Sequence, residues 1–131
     1  MLLLIAVTLS LTGCTKEATP DPDPSDARSA FLGRWSVNET WTKLAYEVNI
    51  TADPGSTDGV FISNFANTGS SGIPAGARIA GTSIVLDANQ VIGDGLKING
   101  SGNLSGTRIT WNYTLDDGAT LIHAIATYTK Q

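Results

Sequence analysis

One cysteine, one histidine and one carboxylate in phase with tryptophans are where chemistry would have to begin in this 131-residue chain. Cys14 has no second thiol to meet, which excludes an intramolecular disulfide and a cysteine-based metal site. His123 would need a nucleophile on one side and an orienting acid on the other to act as a catalytic base; no nucleophile motif surrounds it, and it reads as a surface or rim residue. Glu39 alternates with Trp35, Val37 and Trp41. A carboxylate on an apolar face is costly unless paired or hydrogen-bonded. Glu39 is therefore either a polar anchor inside a ligand cavity, a partner for a strand-end hydroxyl or an arginine, or a residue that a bulge turns outward. Asn64, in phase with Val60 and Ile62, either fixes a ligand or satisfies a loop backbone. Trp35, Trp41 and Trp111 could stack on a sugar. Trp35 and Trp111 fit a core better, where aromatics bury the most area; Trp41, at a strand end, is the candidate for exposure. The glycine-rich run 100–106 is no phosphate cradle, because such loops open a helix and none follows; it reads as a hairpin turn. No cofactor or metal is expected.

Acylation is the chemistry that Cys14 does invite. Leu11-Thr12-Gly13-Cys14 resembles a lipobox, the site at which a bacterial lipoprotein is lipidated and cut. Residues 1–11 are apolar except for Thr8 and Ser10. That is short of the roughly 20 residues of a bilayer span and suits the apolar region of a signal peptide. A signal peptide also carries a basic residue before this region; none is present, so a start further upstream is expected. Each acyl methylene buried in lipid is worth about 0.8 kcal/mol, so several chains on one residue hold firmly. Residues 14–29 alternate Pro and Asp and have almost nothing to bury, as in an extended, disordered tether. The acids Glu17, Asp21, Asp23 and Asp26 belong to that solvated tether; the calcium-loop spacing is absent. The expected organisation is a signal peptide at 1–13, a tether at 14–29 and one folded domain at 30–131, anchored to the outer membrane. The formal net charge of −4 without a basic run argues against nucleic-acid partners. A monomer is expected.

The residues that would position Glu39 follow a period of two from Phe31 onward. Residues 33–41, 44–51 and 107–115 alternate cleanly between apolar and polar, the mark of half-buried antiparallel strands. Weaker runs lie at 60–65, 75–80, 83–88, 96–99 and 121–129, with one short turn of helix at 25–32. Turn signals such as Asp53-Pro54-Gly55, Gly81-Thr82 and Asp117-Gly118 separate them. Such a series predicts an all-β fold: an antiparallel up-and-down meander barrel of about eight strands, closed to remove its edges. A two-sheet β-sandwich is the alternative.

Phe31-Leu32-Gly33-Arg34-Trp35-Ser36-Val37-Asn38-Glu39 opens like the small lipocalin-like lipoproteins of Bacteroidota. Ile62-Ser63-Asn64-Phe65, Ile109-Thr110-Trp111-Asn112-Tyr113 and Ala126-Thr127-Tyr128-Thr129-Lys130 resemble, in order, later stretches of that family. The resemblance implies a lipocalin-like barrel; the family's activity is itself largely undefined. Many of its members carry cysteines near the positions that Trp41 and Ile125 occupy here, and packing would replace that disulfide. The function expected is a lipid-anchored, non-catalytic barrel that binds a small, partly apolar ligand at one mouth, with Glu39, Trp41 and Asn64 as contacts. The alternative is a surface-exposed interaction or polysaccharide-binding accessory protein that uses Trp41 and the loop at 67–76 rather than the interior.

Overall fold

The computed structural model describes residues 26–41, 45–69 and 72–131; the signal segment, Cys14 and the tether up to residue 25 lie outside them. Among the described residues nine antiparallel strands form: β1 (Gly33–Glu39), β2 (Ala45–Ala52), β3 (Gly59–Ser63), β4 (Ala75–Ala80), β5 (Ser83–Leu86), β6 (Gln90–Ile92), β7 (Leu96–Ser105), β8 (Arg108–Asp116) and β9 (Leu121–Lys130). Each pairs with its sequence neighbour except β5 and β6, which both lie along the same edge of β7. Val85 and Gln90 are five positions apart, while their partners Ser101 and Ile98 are three apart, so two extra residues loop out of one broken strand. Asn89, at φ 57°, takes the left-handed turn there. The circuit thus has eight staves, and β1 pairs with β9 to close it. A closed barrel leaves no second sheet, which excludes the sandwich.

The alternation sorts side chains between lumen and solvent. Trp35, Val37, Val48, Ile50, Ile62, Ile84, Ile98, Ile109, Trp111, Leu115 and Tyr128 fill the interior. Each fully buried large apolar side chain stabilises the fold by about 1.5–3 kcal/mol. The outward positions of β8 are Arg108, Thr110, Asn112 and Thr114, polar where a membrane-spanning barrel would be apolar. Among the described residues no helix is long and apolar enough to cross a membrane.

A plug covers the end at which β1 begins. A 3-10 turn at Ser29–Phe31 buries Phe31, whose carbonyl accepts a 2.9 Å hydrogen bond from Trp35 Nε1. Arg28 fastens the plug: its guanidinium donates to the carbonyls of Asp53, Ser56 and Gly59 at 2.9–3.0 Å and to the Asp26 carboxylate at 2.8 Å. Phe65 and Ala66, from the turn at Phe65–Asn67, are buried at the opposite end.

Three sequence expectations need correction. β1 stops at Glu39, because Thr40 pairs with Ile125 and then turns outward; the alternation therefore does not reach Trp41, which is exposed. β3 stops at Ser63, because Asn64 adopts φ 60°, incompatible with a strand. The glycine-rich run is not a hairpin turn: residues 100–105 continue β7, and the reversal falls at Gly106. Its glycines occupy inward positions opposite large aromatics. A Cβ on Gly102 would lie 2.9 Å from the Trp111 ring, and one on Gly100 would lie 2.5 Å from Tyr113 Cα.

Candidate functional site

Glu39 is the last residue of β1 and points into the barrel, 5 % exposed. Its neighbour across β9 is Ala126, which in turn faces Trp111 on β8; two residues along, Ala124 faces Tyr113. On the far side of β8, Gly102 faces Trp111 and Gly100 faces Tyr113. The two large aromatics thus have only glycine or alanine beside them. That spacing gives the Tyr113 side chain room to reach across to Glu39 Oε2, to which its hydroxyl donates a hydrogen bond.

Two further phenols approach this pair. Tyr46, near the start of β2, is half-buried, and Tyr128, on β9, is buried. The Tyr46 hydroxyl lies within hydrogen-bonding reach of Glu39 and Tyr113, whereas the Tyr128 hydroxyl and Trp111 Nε1 have no partner among the described residues. Burial, then the proximity of Tyr113 and Glu39, raises the Tyr46 pKa. Burial, then the neighbouring Tyr46 and Glu39, does the same to Tyr128. Tyr113 is raised by burial and by its bond to Glu39. All three therefore stay protonated and present O–H groups toward one carboxylate. Around them Phe65 lies 4.8 Å from the Tyr113 ring and 5.7 Å from Trp111, and Trp111 lies 5.5 Å from Tyr128. The result is a polar knot inside an aromatic interior.

Of the three contact residues expected from sequence, Glu39 alone faces the lumen. Asn64 serves the backbone: its Nδ2 donates to the Glu47 carbonyl at 2.8 Å, and its Oδ1 accepts from Gly69 N–H at 2.7 Å. It borders a groove of about 320 Å³ on the outer wall, with Arg34, Glu47, Asn49 and Ser63. Trp41, 39 % exposed, sits in the turn after β1. His123 is exposed on β9 and lines a second outer groove, of about 380 Å³. The tyrosines were not singled out from sequence. A signal for Tyr113 did exist: Gly-x-Gly and Ala-x-Ala, at 100–102 and 124–126, match the spacing of Trp111-x-Tyr113. Among the described residues no three His, Cys, Asp or Glu side chains gather as a metal site would require.

The fold defines the class, a closed antiparallel β-barrel. No family model and no curated protein matches the chain. Among solved structures it is similar to a redesigned β-barrel, at a TM-score of 0.53 and 16 % identity, over 84 % of this chain and 99 % of that one. At that identity the likeness speaks for the fold alone.

Proposed function

We propose that this chain is a lipid-anchored envelope lipoprotein of the lipocalin-like kind, whose barrel binds a small, partly apolar ligand without transforming it. The ligand enters at the end where β1 finishes, and its polar group meets Glu39 and the tyrosine hydroxyls. One observation carries this reading: an otherwise apolar core holds a carboxylate with three phenols, and the Tyr128 hydroxyl and Trp111 Nε1 beside them lack partners. Buried polar groups without partners cost about 1–3 kcal/mol each, and phenylalanine would fill the same space without that cost. A ligand oxygen supplies what the Tyr128 hydroxyl and the Trp111 N–H lack.

The anchor in this reading is acyl chains on Cys14, in the outer membrane. The twelve residue-to-residue steps from Cys14 to Asp26 would span about 37 Å if extended at about 3.1 Å each.

Native mass spectrometry on protein extracted from its own membrane tests the ligand. A co-purifying small molecule, lost in Glu39→Gln or Tyr46→Phe, is the expected result; a protein that carries and takes up nothing overturns the reading. Metabolic labelling with an alkyne fatty acid tests the anchor separately: the label is expected on the parent chain and not on Cys14→Ala.

A further inference from the structure

We propose a second binding site, on the outer wall of the barrel, for a neutral saccharide. It does not rest on the interior ligand. The groove of about 380 Å³ over β7, β8 and β9 is lined by Thr40, Asn99, Asn112, Thr114, His123 and Ile125, and its floor includes Tyr113 of the interior pair. The register makes this an ordered surface. Asn99, Thr114 and His123 form one rung across the three strands, and Asn112 faces Ile125 in the next. With neighbouring strands about 4.8 Å apart, a rung extends about 10 Å, enough for two pyranose rings end to end.

The chemistry selects the ligand. The lining contains no Lys, Arg, Asp or Glu, so an ion finds no counter-charge. It does contain amides, hydroxyls and an imidazole, which both donate and accept, as vicinal sugar hydroxyls require. The Asn112 amide and the His123 ring make no hydrogen bond to any described residue and are exposed, hence available. Asn99, by contrast, is fixed by bonds to Asn89, and Thr114 by a bond to the Asn99 carbonyl. Ile125, 51 % exposed, supplies an apolar surface for the C–H face of a ring, and Trp41 follows the lining residue Thr40 in sequence. The other outer groove differs in charge, since it carries Arg34 and Glu47, and one of its two asparagines, Asn64, is already bonded.

The test is isothermal titration of the full chain, in detergent, with maltohexaose, cellohexaose, xylohexaose and chitohexaose, and with polygalacturonate as the charged control. At least one neutral oligosaccharide is expected to bind. Asn112→Ala and His123→Ala should each weaken it by about tenfold or more, while Arg34→Ala, in the other outer groove, leaves it unchanged. Amide shifts on addition of sugar should concentrate on residues 99, 112, 114, 123 and 125. The proposal is overturned if no neutral oligosaccharide binds, if only polygalacturonate binds, or if both outer-wall variants bind as the parent does. Loss of binding in Glu39→Gln alone would also overturn it, by assigning the sugar to the interior.

Discussion

Tyr113 and Tyr128 bring the same hydroxyl into the same interior, but only Tyr113 is bonded there, to Glu39. Their removal should therefore differ. Tyr113→Phe takes a donor from a buried carboxylate and is expected to cost about 1–3 kcal/mol. Tyr128→Phe deletes a buried oxygen that has no partner and should stabilise the ligand-free protein, by up to about 1–3 kcal/mol. Urea denaturation of the ligand-free protein checks both; equal costs would mean that the Tyr128 hydroxyl has an occupant in solution. Glu39 itself is legible in the sequence, because parity alone sets its face. Its partners are not: which inward faces meet across the lumen depends on closure and register, and no local pattern encodes either. Trp41 shows the converse limit, since alternation gives a residue's face only while the strand lasts, and β1 ends two residues earlier.

At the level of elements, the clean alternations at 33–41, 44–51 and 107–115 correspond to β1, β2 and β8, and the run at 75–80 to β4. β6 is too short for any period to register. The second half of β7 looks like a turn, because glycines stand where the lumen needs absent side chains. Gly100→Ala should thus cost more than about 3 kcal/mol, combining overpacking against Tyr113 with backbone strain at φ 151°. Gly106→Ala, at φ 63° with open space around it, should cost about 1 kcal/mol. Denaturation midpoints of the two variants check this ordering. The plug is acid-sensitive for a different reason. The Arg28 side chain, and then its backbone N–H, holds the Asp26 carboxyl at about 2, against an ordinary 3.8. A depressed carboxyl stabilises the fold above the higher value and loses that contribution as pH falls through the lower one. Resonances of Phe31 and Trp35 should accordingly change between about pH 4 and pH 2, and Asp26→Asn should remove that step.

For the molecule as a whole, the seam matters most. β9 is hydrogen-bonded to β8 along one edge and to β1 along the other. A chain ended after Ala119 would expose both partner edges and the aromatic lumen. It is expected to lose its near-ultraviolet circular dichroism and to aggregate, whereas a three-residue extension beyond Gln131 should change neither.

A ribosome delivers the strand that locks this circle after all the others. Until Lys130 has emerged, what exists is a curled ribbon with two bare rims, and the first strand must wait for every other strand of the barrel before it meets its second neighbour. Contacts so distant in sequence form slowly. The nascent form is therefore the vulnerable one, and any chaperone that shields this protein has its work in that interval.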